Sequence, residues 1–169
     1  MSRHETKALV LGIGNLLIGD EGVGCRAASE LARRYELPDN VECVDGGTAG
    51  FELLTMIDDK HHLILIDALK NDQQPGTVVM VEGEQVPRAF LARTTPHQLG
   101  ICDVLAAAQL SDTMPASLTL YGIEPKQLEV GIGLSPEVEA GMEKTIGAVV
   151  QQLRHFGYEV KPNGIQSEY

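Results

Sequence analysis

Short apolar runs rich in β-branched residues alternate with helical patterns along most of the chain. Five such runs predict strands: Ala8–Ile13, Val41–Asp45, Leu63–Asp67, Thr77–Val81 and Leu118–Ile123. Because these runs are largely apolar on both faces, they suit strands that are covered on both sides. The alternation therefore predicts an α/β fold with three layers, α/β/α, around a mostly parallel, twisted sheet of about five strands.

Four segments have the apolar spacing of amphipathic helices, and they begin near Gly22, Ala49, Pro96 and Pro136. The last two also carry start signals. Thr95 and Gln98 match a capping box around the start of one helix, and Ser135 is the expected N-cap of the other.

Length and charge limit what the chain can be. Its 169 residues fit a single domain, residues 1–169, with a predicted compact core over 6–158 and loose ends at 1–5 and 161–169. The net charge of −11 argues against nucleic acid and against a polybasic contact with a membrane. Three widely spaced cysteines, no signal peptide and no membrane-spanning run predict a soluble cytoplasmic protein.

Polar segments follow several of the predicted strands. A glycine-rich loop, Gly12–Gly24, follows the first strand, Asp45–Gly50 follows the second, and Asp67 ends the third. Pro96 and His97 open a helix further along. Because ligands bind beyond the carboxyl ends of strands in such sheets, we expect these segments to meet at one edge.

One interpretation of the glycine-rich loop is a dinucleotide-binding turn. Gly12 and Gly14 fit the first two glycines of that fingerprint, but Leu17 occupies the third position. Asp20 and Glu21 would also repel a pyrophosphate. The glycines alone fit a tight turn between a strand and a helix equally well.

A second interpretation is a metal site formed by Glu21, Asp67 and His97. Two carboxylates and one imidazole suit a borderline divalent ion with open coordination positions. At a helix start the dipole disfavours imidazolium, and a neutral imidazole is the form that ligates metals. The alternatives are structural: Asp67 as a turn acid, Asp20 and Glu21 as acids favoured at a helix start, and His97 as a surface histidine. Cys25 is open to two interpretations, as a nucleophile or as an inward-facing packing residue.

Taken together, four motifs resemble the nickel–iron hydrogenase maturation endopeptidases. They are the Gly12–Gly24 loop, Asp45–Gly50, Ile66-Asp67-Ala68 and the Pro-His-Gln-Leu-Gly segment at 96–100. The resemblance covers about residues 7 to 155. The Pro-His-Gln-Leu-Gly segment at 96–100 and the Leu-Thr-Leu-Tyr-Gly segment at 118–122 resemble those of the subgroup that serves uptake-type hydrogenases.

The resemblance implies an endopeptidase, aspartic-type in some classifications, that acts last in hydrogenase assembly. It would remove a short C-terminal extension from the large-subunit precursor once nickel is in place. Nickel would therefore arrive with the protein substrate, although other divalent ions are expected to fill the same site in vitro. The alternative is a nickel-recognising chaperone or binding module without peptidase chemistry.

The family's metal-contacting residues correspond to Glu21, Asp67 and His97. The Asp45 loop corresponds to the family's substrate-side segment, which makes Asp45 a further catalytic candidate beside Asp67 and Glu21. Gly46, Gly47 and Thr48 become substrate-binding candidates. Two mechanisms stay open, one in which nickel activates water or carbonyl and one in which a carboxylate activates water.

Overall fold

The computed structural model describes residues 5–92 and 96–164, apart from the side chains of residues 96, 97 and 99. Its strands are β1 (Ala8–Ile13), β2 (Tyr35–Glu36), β3 (Val41–Gly47), β4 (His62–Ala68), β5 (Val78–Glu82), β6 (Ser117–Ile123) and β7 (Lys161–Pro162). Its helices are α1 (Val23–Arg34), α2 (Leu53–Ile57), α3 (Gln85–Leu91), α4 (Pro96–Leu110) and α5 (Pro136–His155). A short 3₁₀ helix, Gly19–Gly22, directly precedes α1.

Five of these strands form one sheet in the order β3-β1-β4-β6-β5. The pairs β1–β3, β1–β4 and β4–β6 are parallel, and β5 alone among them runs antiparallel, against β6. The predicted mostly parallel sheet is thus confirmed. All five predicted strands form, with small shifts at their ends.

Helices cover both faces of the sheet, as predicted. Because side chains alternate along a strand, Val10 and Ile64 share one core with α1 and α5. Leu11 and Leu65 point the other way and share a second core with α2, α3 and α4. None of the helices that the structure describes has the length and hydropathy that crossing a bilayer requires.

The structure adds three features to the expected pattern. Helix α3 was not predicted, because only Val86 and Phe90 of its seven residues are buried and they give a weak periodic signal. Helix α2 begins at Leu53 rather than at Ala49. Lys161–Pro162 was expected to be loose but pairs with β2. The Asn163 N–H also donates to the Arg34 carbonyl, so the chain is hydrogen-bonded to the domain as far as Asn163.

The sheet has a topological switch point beside β1. Helix α1 leads from β1 to its neighbour β3 on one face, whereas the chain that leaves β4 reaches β6 through β5, α3 and α4, with these two helices on the opposite face. The two connections therefore diverge at the carboxyl ends of β1 and β4. Such a divergence leaves the crevice in which open α/β sheets bind their ligands.

Two glycines bring helix α1 against this crevice. A Cβ atom on Gly24 would collide with the carbonyl oxygens of Ile66 and Ile13, and one on Gly12 would collide with the Gly24 carbonyl. Backbone therefore packs directly on backbone where α1 begins. Gly24 supplies the close helix–strand approach that the third glycine of a dinucleotide fingerprint usually provides.

We expect Gly24→Ala to destabilise the protein by about 3 kcal/mol or more, because neither carbonyl oxygen can move without disturbing β1 or β4. The matched control is Gly147→Ala on α5, where an added Cβ meets nothing within 4 Å. That variant should gain up to ~1 kcal/mol from helix propensity. Urea unfolding measures both variants, and equal stability of Gly24→Ala and wild type would contradict the proposed backbone contact.

Candidate active site

The carboxyl ends of β3, β1 and β4 meet around Gly14, as the sequence predicted. The Gly14 N–H donates to the Gly47 carbonyl over 3.0 Å. On its other side, a Cβ on Gly14 would lie 3.7 Å from Asp67 Oδ1. Gly14 has a φ of +136°, a conformation that glycine adopts without strain.

Asp67 is completely buried at the end of β4. The side-chain amide of Gln98 holds it, because Gln98 Nε2 donates to Asp67 Oδ2 over 3.1 Å and to the Ala68 carbonyl over 3.0 Å. The sequence assigned Gln98 to a capping box and missed this contact with β4. Thr95, the predicted cap itself, lies outside the described residues.

Glu21 lies in the 3₁₀ helix and is buried. Its N–H donates to the Ile18 carbonyl over 3.0 Å, and its own carbonyl oxygen packs against Gly14 so closely that a Cβ there would collide with it. Asp67 Oδ1 approaches the same glycine. The fold thus brings the Glu21 backbone and the Asp67 carboxylate to the same glycine.

His97 is the second residue of α4, and its side chain lies outside the described part of the structure. Its neighbour Gln98 contacts Asp67, so the first turn of α4 approaches the end of β4. Among the side chains that the structure describes, no three His, Cys, Asp or Glu residues are grouped to hold a metal ion. The triad of Glu21, Asp67 and His97 therefore stays a prediction.

Asp45 lies one strand away from this cluster, opposite Gly12 in the β1–β3 register. Its side chain is exposed, and its Oδ1 accepts a hydrogen bond from the Gly47 N–H over 2.9 Å. Gly47, the last residue of β3, has a φ of +54°, and the Ala49 N–H donates to the Gly46 carbonyl over 3.0 Å, so the chain turns directly after the strand. The predicted substrate-side segment thus borders the crevice.

Cys25 is buried beneath the site, with its Sγ 3.5 Å from the Gly14 carbonyl oxygen. Burial, followed by the hydrogen bond and negative charge of Asp45, raises the pKa of the Cys25 thiol to about 12. The thiolate needed for nucleophilic attack is therefore scarce at neutral pH. Packing, the second interpretation of this residue, fits better.

Asp20, the neighbour of Glu21, has a structural role that the sequence did not show. It is fully buried, and its carboxylate accepts four hydrogen bonds of 2.7 to 2.9 Å, from the N–H groups of Lys126, Gln127 and Ser135 and from the Ser135 hydroxyl. Ser135 occupies the N-cap position of α5 as predicted, but its side chain makes no capping bond and serves Asp20 instead. These bonds fix the 3₁₀ helix to the loop that connects β6 to α5.

Comparison with known proteins identifies the family. A family model described as hydrogenase maturation protease (HycI) matches residues 25–152. The hydrogenase 2 maturation protease of Escherichia coli K12 is 45% identical over 157 residues, which cover 92% of this chain and 96% of that protein. The chain belongs to the hydrogenase maturation proteases.

Further relatives and structures agree with this assignment. The hydrogenase expression/formation protein HupD of Rhodobacter capsulatus is 41% identical and is covered over 74% of its length, against 91% of this chain. The structure of the hydrogenase-maturating endopeptidase HybD from Escherichia coli superposes with a TM-score of 0.91, at 44% identity, over 95% of this chain and all of that chain. The HybD maturation protease of Thermococcus kodakarensis gives a TM-score of 0.75 at 28% identity, over 87% of this chain and 99% of that one.

This hydrogenase maturation protease is therefore a hydrolase, an endopeptidase that acts in hydrogenase maturation. A binding module without peptidase chemistry does not fit a family of endopeptidases. The dinucleotide interpretation fails as well, since buried Asp20 and Glu21 occupy the turn where a pyrophosphate would lie.

We expect Cys25→Ala to retain cleavage within about threefold of wild type, because a thiol with a pKa of about 12 supplies no nucleophile at pH 7. The assay is the rate of hydrogenase precursor processing by the purified variant. Loss of processing with an unchanged unfolding midpoint would make Cys25 part of the chemistry.

We expect Asp20→Ala to lower the free energy of unfolding by about 3 kcal/mol, because it leaves three backbone N–H groups and one hydroxyl without their acceptor. The matched control is Asp103→Ala, an exposed aspartate on α4, which should change stability by less than ~0.5 kcal/mol. Urea unfolding at pH 7 measures both, and similar stabilities of the two variants would contradict the role of Asp20.

The same carboxylate gives the stability a pH dependence. Burial opposes ionisation of Asp20, but the hydrogen bonds from Gln127, Ser135 and Lys126 outweigh it and hold its pKa below the ordinary value. The stabilisation is present above the unfolded-state pKa of ~3.9 and is lost as the pH falls through the lower folded-state value. Wild type should therefore lose stability faster than Asp20→Ala below about pH 4, and parallel pH curves would contradict this.

Proposed function

We propose that the enzyme removes a short C-terminal extension from the nickel-loaded large-subunit precursor of a nickel–iron hydrogenase. In this proposal Glu21, Asp67 and His97 contact the nickel that the precursor carries. The observation that most supports it is the position of Asp67, a buried carboxylate held by Gln98 at the switch point of the sheet. A buried acid at this place has a cost in desolvation that structural packing alone does not require.

The donor set suits a metal delivered by the substrate. Carboxylates and a neutral imidazole bind borderline divalent ions and leave positions for the ligands that the precursor already provides. Since Asp67 has no exposed surface in the free enzyme, its contact with nickel needs a local rearrangement of the groups around it. Binding of the ion that the precursor carries would offset the free-energy cost of that rearrangement. A precursor without nickel offers no such offset, and nickel would therefore be a condition for cleavage.

Hydrolysis itself needs a group that accepts a proton from water. Asp45 is exposed beside the crevice, and the Gly47 N–H orients one of its oxygens. The water oxygen forms a bond to the scissile carbonyl carbon while Asp45 takes the proton, which then passes to the amide nitrogen as the C–N bond breaks. Gly46, Gly47 and Thr48 would align the substrate backbone, and nickel in contact with Glu21 and Asp67 would place the scissile bond.

The only partner in this proposal is the hydrogenase large-subunit precursor, with no nucleic acid or membrane partner. The enzyme would act in the cytoplasm, where hydrogenase subunits would receive their nickel before export or assembly. The three free cysteines agree with a reducing compartment.

The experiment incubates the purified enzyme with nickel-loaded and nickel-free precursor and weighs the products by mass spectrometry. We expect a C-terminal peptide to be released from the loaded form alone. Glu21→Gln, Asp67→Asn and His97→Ala should each slow release by about 100-fold or more while leaving the unfolding midpoint unchanged. His155→Ala, at an exposed histidine of α5, is the control and should process normally.

Three outcomes would contradict the proposal. Failure to release a peptide from the loaded precursor rejects the reaction. Equal cleavage of the nickel-free form rejects the requirement for nickel. Normal activity of His97→Ala removes that residue from the site.

A further inference from the structure

Two loops beside the candidate site are joined by a single isolated parallel β-bridge. The Gly19 N–H donates to the Gly131 carbonyl, and the Gly131 N–H donates to the Leu17 carbonyl, each over 2.9 Å. Ile18 and Gly131 form the bridge between them. Gly131 therefore uses both of its backbone groups towards the loop that contains Glu21.

The residues on either side of Gly131 leave the opposite edge unpaired. Within the part of the chain that the structure describes, the backbone N–H and C=O groups of Val130 and Ile132 make no hydrogen bond. Their β-branched side chains are 90% and 85% exposed. Unpaired backbone groups between exposed β-branched side chains are the features of a strand edge that accepts another chain.

More apolar surface surrounds this edge. Leu17 on the first loop and Leu128 on the second are also exposed. We call Leu17, Leu128, Val130 and Ile132 the apolar edge. Large apolar residues are rarely exposed together on a protein that has no partner to cover them.

Hydrogen bonds to Asp20 hold the apolar edge in a fixed position relative to the site. Its carboxylate binds the loop at Lys126, Gln127 and Ser135, on both sides of the apolar edge. Ile18, the bridge partner of Gly131, stands three positions before Glu21 in the chain. A preformed edge loses little conformational entropy on binding, and this one belongs to a loop that is hydrogen-bonded to the segment before Glu21.

We propose that an extended segment of the precursor adds to Val130–Ile132 as a β-strand, with its own apolar side chains packed on the apolar edge. This inference rests on the proposed function, because it identifies the occupant as the protein that is cleaved. Backbone pairing requires an extended polypeptide, and a peptide bond must be extended and held to reach a proteolytic site. A second copy of this chain is a poor occupant, since each copy carries a net charge of −11.

The test compares Val130→Ser/Ile132→Ser with Leu110→Ser. Leu110 is 90% exposed, as Val130 is, and it ends α4, whose first turn lies at the site. Leu110 is therefore remote from the apolar edge and controls for the loss of a highly exposed apolar side chain. Because nickel-free precursor should stay uncleaved, it serves as the probe in a biolayer interferometry measurement of Kd.

We expect the double variant to weaken binding of this precursor by about tenfold to a hundredfold, and Leu110→Ser to leave it unchanged. With nickel-loaded precursor, the double variant should raise KM by a similar factor at an unchanged kcat. Hydrogen exchange at the Val130 and Ile132 amides should slow when wild type binds the precursor, which tests the backbone pairing without any substitution.

Several results would overturn the inference. They are an unchanged Kd in the double variant, equal weakening in Leu110→Ser, no protection of the two amides, a fall in kcat alone, or dimerisation of this protein that the double variant abolishes. A different result would reject the proposed function. If the precursor binds through the apolar edge but is never cleaved, the proposed reaction is wrong and the docking site remains supported. Normal cleavage with an unchanged KM in the double variant rejects the docking site and leaves the proposed reaction standing.

Discussion

The contact between the start of helix α1 and the carboxyl ends of β1 and β4 determines the geometry of the site. Backbone meets backbone there, and only glycine fits at positions 12 and 24. Because the helix begins so close to the sheet, the chain between Gly14 and Gly22 must fold back over the strand ends. That path places Glu21 against Gly14, on the side of the glycine that Asp67 also approaches.

Two adjacent acids in this returning segment have different roles because their surroundings differ. Asp20 is saturated by four donors from the loop before α5, and its lowered pKa shows that these donors outweigh the cost of its burial. Asp20 thereby fixes the short helix that presents Glu21 to the crevice. The rigid attachment also serves the apolar edge, since the loop that Asp20 holds is the one that carries Val130 and Ile132.

Patterns of local sequence predicted most of the fold, and contacts between distant residues account for what they missed. The apolar runs predicted the five strands and a mostly parallel sheet, and the polar segments that follow the strands predicted the edge at which they meet, but the order of the strands in the sheet was not predicted. Helix α3 was missed because it buries only Val86 and Phe90, and two apolar positions give a weak helical pattern in the sequence. The partners of Asp20 lie 106 to 115 residues further along the chain, and the reach of Gln98 to Asp67 depends on how α4 docks, so no periodic pattern encodes either contact. Glu21, Asp67 and His97 were candidates for a metal site from their side-chain chemistry and their places in the predicted fold. Resemblance to a family gave them the same role and added Asp45, and the roles of all four towards nickel and water stay predictions.

The central claim is that this protease contacts the nickel of its substrate directly. Nickel K-edge X-ray absorption tests it, with nickel-loaded precursor measured alone and in complex with Asp45→Asn, a variant designed to slow cleavage and keep the proposed metal contacts. The account predicts new oxygen and nitrogen neighbours of nickel in the complex, and loss of oxygen neighbours when Glu21→Gln is added. A nickel spectrum that is the same in the complex as in the free precursor, at saturating enzyme, would contradict it.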